Sequence, residues 1–336
     1  MSVNAACINF RPDPESIPDA HAALAPGEAW QVDGGRGTTA PMILREGRLY
    51  LAGADRQVRA LDVETGAELW HRRLPGPILG GVLLGDSLLF VASARPDDRI
   101  HALDLATGRT AWTAAAGDLP EPLALAGGAV AGVNRRGHLV GFDARTGAVR
   151  FRRRVGRTRL QPIAAEAAFL VAAGDSVLRI EPDSGRVVAR GRLPVLPLEW
   201  QAARERIVLT GADSSVVALE PATFSVAWRA ILDGPVLGPL TFRGDTAWAV
   251  TRRGTIYELT LPGPRTRVVA RLGEPITTGV TPLGRHLLVG GADGALRALT
   301  REGAVAWRVN LSWNITVDPV PVPGGFLAAG GDGDLH

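Results

Sequence analysis

The chain has 336 residues, 46% of them hydrophobic but only 5% aromatic, with 37 basic against 34 acidic residues and a formal net charge of +3. That balance argues against a strongly basic surface, and every basic residue is Arg, with no Lys. A lone cysteine, Cys7, excludes an intramolecular disulfide, and no segment is long and apolar enough to span a membrane as a helix.

Residues 1–26 hold Pro12, Pro14, Pro18 and Pro26 and read as an extended N-terminal tether. Within them Asn4-Ala5-Ala6-Cys7 partly matches a bacterial lipoprotein box in its two small residues, making Cys7 a candidate lipid anchor. No apolar signal region precedes it, so anchoring would require a frame that begins upstream. Then GEAWQVDGG (27–35) reads as a fourth strand without its first three.

From residue 40 onward a unit of four short strands repeats. In the first copy APMIL (40–44), RLYLAGA (48–54), QVRALD (57–62) and AELWHRRL (67–74) are apolar runs bounded by Gly, Asp and Pro. The third strand ends at Asp62, Asp104, Asp143, Glu181, Glu220, Thr260 and Thr300, in steps of 42, 39, 38, 39, 40 and 40 residues. A fixed period of this length marks a repeat architecture in which neighbouring copies bury each other's apolar faces. No stretch sustains a helical period.

Two turns recur. Second and third strands meet at Asp293-Gly294, Arg136-Gly137, Arg253-Gly254 and Asp332-Gly333, where Gly supplies a positive φ. Third and fourth strands meet at D-x-x-T-G: Asp62 to Gly66, Asp104 to Gly108 and Asp143 to Gly147. The carboxylate there accepts from turn amides and the Thr hydroxyl, and Gly closes the hairpin. An aromatic follows on the fourth strand at Trp70, Trp112, Phe151, Trp228 and Trp307, and Trp30 holds that place in 27–35. A residue recurring once per unit reads as an inter-blade wedge rather than an aromatic cage.

Strands ending Leu-Asp, the D-x-x-T-G turn and a Trp on the fourth strand resemble the pyrroloquinoline-quinone-type propeller repeat. The resemblance covers nearly the whole chain from residue 27 and is most specific in the first three copies. The expected fold is all-β: an eight-bladed β-propeller of four-stranded antiparallel blades over 27–336. Its last blade would be a composite of 313–336 and 27–35, with the ring closed by the N-terminal strand.

The chemistry of quinone-dependent dehydrogenases is not legible. The resemblance implies calcium ligands, an acidic base and adjacent cysteines, whereas Glu166, Glu199 and Asp213 form no ligand pattern and no second cysteine exists. His71, His101, His286 and His336 show no metal-ligand spacing. The expectation is therefore no catalytic residue, no cofactor and no metal.

One basic run remains, VRFRRRVGRTR (149–159), with Arg150, Arg152, Arg153, Arg154, Arg157 and Arg159. It reads as a protected blade edge or as a protein-interaction patch, and it lacks the stacking aromatics of a nucleic-acid platform. The chain is similar to the BamB family of outer-membrane assembly lipoproteins. That resemblance implies a non-catalytic scaffold for protein partners such as a barrel-assembly complex, in the periplasm or at the outer membrane. The membrane would be reached only through the lipid anchor. The alternatives are a ligand- or quinone-sensing propeller module and a degenerate quinoprotein dehydrogenase.

Overall fold

The computed structural model describes residues 6–11, 27–33, 42–203, 205–261, 263, 265–311, 314–315, 317–322 and 325–329; for 6–11 and 27–33 the description is of the backbone. Every described element is a strand, and no helix is long and apolar enough to cross a membrane.

Seven antiparallel sheets are continuous four-strand meanders, the blades of a β-propeller: blade 1 (43–73), blade 2 (78–115), blade 3 (124–154), blade 4 (163–192), blade 5 (197–231), blade 6 (241–271) and blade 7 (281–310). The third strand of blade 1, Gln57–Asp62, is buried from Val58 to Leu61, so its side chains are covered on both faces. The fourth strand, Glu68–Arg73, buries only Trp70. That contrast explains why central strands read as unbroken apolar runs and outer strands as charged ones.

A bulge sits on the fourth strand beside the aromatic position. Ala111, Arg150, Val188, Ala227 and Ala306 are passed over in the pairing with the third strand. The extra residue bends the outer strand and re-aims the side chain that follows.

A further four-stranded sheet joins the two ends of the chain, in the order Gly27–Asp33, Ala6–Arg11, Gly325–Ala329, Val320–Val322. Cys7 pairs with Ala329 and Phe10 with Phe326, while Ala6 faces Asp33 on the other side. The expectation of an eight-bladed propeller closed by one N-terminal strand is corrected here. Among the described residues the blades formed as repeat units number seven, and the additional sheet is assembled from both chain ends. It takes two N-terminal strands, because the third-strand place beside Gly325–Ala329 is filled by Ala6–Arg11. The strand 27–33 is outermost, as expected, but it pairs with 6–11 and not with the C-terminal segment. Residues 6–11 are thus a strand and not part of a tether; 12–26 and 332–336 lie outside the described residues. Cys7, paired on both sides, has no length of free chain between it and the sheet.

The chain divides into two compact units, one of residues 52–60 and 69–231, the other of 1–51, 61–68 and 232–336. Within the first, the cores lie between successive blades. Phe90, Ile100 and Ala102 of blade 2 meet Val130, Val140 and Phe142 of blade 3. Leu139 and Phe151 of blade 3 meet Phe169 and Ile180 of blade 4, and Leu170 and Val177 of blade 4 meet Trp200 and Leu209 of blade 5.

In the second unit Trp248 and Val250 of blade 6 pack on Leu287 and Val289 of blade 7. Blade 7 packs through Leu288 and Leu296 on Phe326 and Ala328 of the composite sheet, whose Val322 and Leu327 meet Leu49 and Leu61. Each fully buried Leu or Phe contributes about 1.5–3 kcal/mol by leaving water, so these inter-blade layers carry the stability of the fold.

Candidate functional site

The most regular constellation is the D-x-x-T-G turn. Asp62 Oδ1 accepts from Thr65 N and Thr65 Oγ1, both at 2.8 Å, and Asp104 and Asp143 repeat this with Thr107 and Thr146. The Thr hydroxyl and amide hold the Asp62 and Asp104 carboxyls below the usual carboxylate range. Asp143 is held lower still, first by the Arg150 guanidinium and then by Thr146. Glu181 in the softened fourth copy is brought down to about 2 by Arg186 and Ser184.

These turns are the seats of the aromatics. Trp70 donates its indole N–H to Leu105 O at 3.1 Å, and Trp112 donates to Ala144 O at 3.0 Å, in each case in the turn of the next blade. A Cβ on Gly108 would lie 2.5 Å from the Trp70 ring, one on Gly147 2.5 Å from Trp112, and one on Gly185 2.4 Å from Phe151. Gly therefore serves two needs, a φ near +70° and room for the ring.

Blade 4 lacks the aromatic on its fourth strand, and blade 5 supplies it from the opposite side. Phe224 occupies the turn Gly's place at φ 59° and lays its ring on Gly191, where a Cβ would lie 2.5 Å away. Trp307 stacks on Phe326 of the composite sheet, with centroids 5.7 Å apart. Trp228 is half-buried, and the side chain of Trp30 lies outside the described residues.

A second series of polar groups sits where second and third strands meet. Arg59 is buried and reaches Asp55 at 2.8 Å. Arg297 is likewise buried, bound by Asp293 and Glu274, and Arg308 adds a bond to Asp293 at 2.8 Å. In blade 2 His101 Nε2 lies 2.5 Å from Asp97 Oδ2 and 3.2 Å from Ser93 Oγ, and Ser93 also bonds Asp97. Burial raises the Asp97 carboxyl, but the bonds from Ser93 and His101 outweigh it and hold it low. This is not a nucleophile–base–acid relay: Ser93 and Asp97 both engage Nε2, whereas a relay engages the two ring nitrogens separately.

The acids considered from sequence do not converge. Glu166 pairs with Arg179 at 2.7 Å, and Asp213 is bound by Ser215 and Arg229. Glu199 stands near a partner the sequence reading missed, Glu121; burial raises both carboxyls, and Glu121's charge further raises that of Glu199. Sequence periodicity gives no sign of this pair, because Glu121 lies in the connector between blades 2 and 3 and Glu199 on the first strand of blade 5. Among the described residues no three His, Cys, Asp or Glu side chains converge as metal ligands. The oxygen-rich ligand set a calcium-supported quinone would need does not fit these residues.

The arginine run divides in two. Arg150 bonds Asp143 at 2.9 Å, Asp183 at 2.7 Å and Gly127 O at 3.0 Å, and Arg153 donates to Gly185 O at 2.8 Å. These two tie blade 3 to blade 4. Arg152, Arg154, Arg157 and Arg159 are exposed and make no ion pair or side-chain hydrogen bond among the described residues.

A family profile described as outer membrane protein assembly factor BamB matches residues 19–121, 96–205 and 173–320. The chain belongs to this family. Among solved structures it is similar to BamB from Moraxella catarrhalis, with a TM-score of 0.68 and 17% identity over 87% of this chain and 96% of that one. It is also similar to the quinohemoprotein alcohol dehydrogenase from Comamonas testosteroni, with a TM-score of 0.64 and 13% identity over 84% of this chain and 68% of that one. At these identities both show the propeller fold alone. A curated relative, a quinoprotein ethanol dehydrogenase from Pseudomonas putida, is 33% identical over 93 residues, which cover 25% of this chain and 14% of the relative.

Proposed function

We propose that this BamB-family chain is a non-catalytic scaffold that binds protein partners in assembly at the cell envelope, in the periplasm or against the outer membrane. The observation that carries this reading is how the polar groups are used. Ser93, Asp97 and His101 bond one another, and Asp55, Asp213 and Asp293 are each engaged by an arginine. Arg152, Arg154, Arg157 and Arg159, by contrast, are exposed and make no ion pair or side-chain hydrogen bond among the described residues, which suits them to contact a partner. Family membership supports the same role. The proposal does not rest on attachment through Cys7, which lies within a strand.

The test is affinity purification of the tagged chain from solubilised membranes, with barrel-assembly subunits expected among the recovered proteins. A second reading, a quinone-dependent or quinone-sensing propeller, is favoured by the 93-residue likeness to a quinoprotein dehydrogenase. It predicts dye-linked alcohol oxidation on titration with quinone and calcium. The scaffold reading predicts no turnover above a heat-killed control.

A further inference from the structure

Blade 3 carries opposite charge chemistry at its two ends. At the third-to-fourth turn, Asp143 and the neighbouring Asp183 neutralise Arg150. At the other end the second-to-third turn holds Arg135 and Arg136. Arg135 is bonded to Asp118, while the exposed Arg136 side chain makes no ion pair or side-chain hydrogen bond among the described residues. The connector leaving the fourth strand folds back onto this turn, as Val155 N and Gly156 N donate to Gly137 O at 2.9 and 3.1 Å. The approach is so close that a Cβ on Gly137 would lie 3.0 Å or less from Gly156 and Arg157 backbone atoms. The backbone at Arg136 and Gly137 is therefore brought against that at Gly156 and Arg157, although 21 positions separate Arg136 from Arg157 in sequence.

Arg154 ends the fourth strand opposite His138, and Arg152, opposite Val140, stands two residues before it. Side chains two apart on a strand share a face at about 6.4–6.8 Å. Thr158 fixes the connector by accepting from Leu160 N at 3.0 Å, and Arg159 follows it. The corner thus gathers Arg136, Arg152, Arg154, Arg157 and Arg159, all exposed and none paired with a carboxylate among the described residues.

We propose that this corner of blade 3 is a docking surface for an extended acidic segment of a protein partner, with carboxylates at alternate positions facing Arg152 and Arg154. The inference rests on the scaffold reading and names the chemistry of its partner. Alternate carboxylates on an extended chain repeat at the same spacing as the two strand arginines, and each guanidinium can clamp one bidentately. The fourth strand is the outer edge of its sheet, so an extended segment can lie along it. A bilayer is the poorer fit. The exposed apolar side chain of this strand is Val149, at its opposite end, so the corner has nothing to insert. Among the described residues none of the five arginines is accompanied by an exposed aromatic for stacking bases.

The test is fluorescence anisotropy of a labelled alternating Glu-Ser peptide with the full chain. Triple Arg152→Glu/Arg154→Glu/Arg157→Glu and single Arg154→Glu variants are compared with Arg285→Glu, an exposed arginine of blade 7. Expected are at least a tenfold loss of affinity in the triple variant, a clear loss in Arg154→Glu and little change in Arg285→Glu. Salt dependence should also be shallower in the triple variant. Equal losses in Arg154→Glu and Arg285→Glu would overturn the proposal by reducing it to net charge. Tighter binding to phosphatidylglycerol vesicles or single-stranded DNA than to peptide would overturn it in favour of those surfaces.

If the triple variant melts lower, the Arg→Gln triple replaces it, with the same loss expected. Purification from membranes separates the two readings. Partners lost from the folded triple variant support this corner; partners retained overturn it and leave the scaffold standing. Partners absent from wild type overturn the scaffold reading, while the peptide titration still decides the corner.

Discussion

Asp62 and Asp104 owe their low pKa first to the hydroxyl of the Thr three residues on, helped by its amide, so the motif's spacing is its chemistry; at Asp143 the Arg150 guanidinium comes ahead of Thr146. A depressed carboxyl stabilises the fold at pH above its unfolded value, near 3.9, and that contribution is lost as pH falls toward the folded value. Thr65→Val should therefore raise the Asp62 pKa in a carbon-detected NMR titration, and the Thr65→Val/Thr107→Val/Thr146→Val triple variant should lose less of its stability between pH 4 and pH 2 than wild type. An unmoved titration would contradict the turn account. The wedge is tested by Trp70, which is 8% exposed: Trp70→Ala should cost about 3–5 kcal/mol in denaturant unfolding. Gly108→Ala should be costly in wild type and less so beside Trp70→Ala, because only the ring contact is shared. Strictly additive costs would place the Trp ring elsewhere.

At the scale of strands, the blades were legible because their central strands are covered on both faces and their turns use Gly and Asp at fixed offsets. In blades 1, 2, 3 and 7 the inward face of the outer strand was legible from its aromatic, though the bulge beside that position in blades 2, 3 and 7 leaves no trace in composition. Phe224 was not readable as a wedge: in sequence it looks like a lost turn glycine, and only the fold shows that Gly191 makes room for it in return. The strand 6–11 was missed because Pro12 and Pro14 follow directly and one of its two partner strands lies at 325–329, more than 310 residues away. Ile8→Pro would remove a backbone donor from the strand held between two neighbours and should destabilise the chain by at least about 1 kcal/mol. Amides of 325–329 should then exchange faster with deuterium. An unchanged melting temperature and exchange pattern would mean that this sheet is dispensable.

For the molecule as a whole, the repeat was plain in the sequence and the functional surface was not. The six arginines of 149–159 looked equivalent. Two of them fasten blade 3 to blade 4, four make no ion pair or side-chain hydrogen bond among the described residues, and Arg136 joins those four only because Gly137 lets the connector press against its turn. Glu121 and Glu199 were likewise beyond periodicity, since repeats predict like positions rather than unlike ones brought together. The central claim, that the propeller works by binding and not by chemistry, is tested most directly by recovering the tagged full chain from solubilised envelope membranes and quantifying what comes with it. The account predicts barrel-assembly subunits in near-stoichiometric amounts, diminished when Arg152, Arg154 and Arg157 are reversed in charge. Recovery of the chain without partners, together with quinone-dependent turnover, would contradict it.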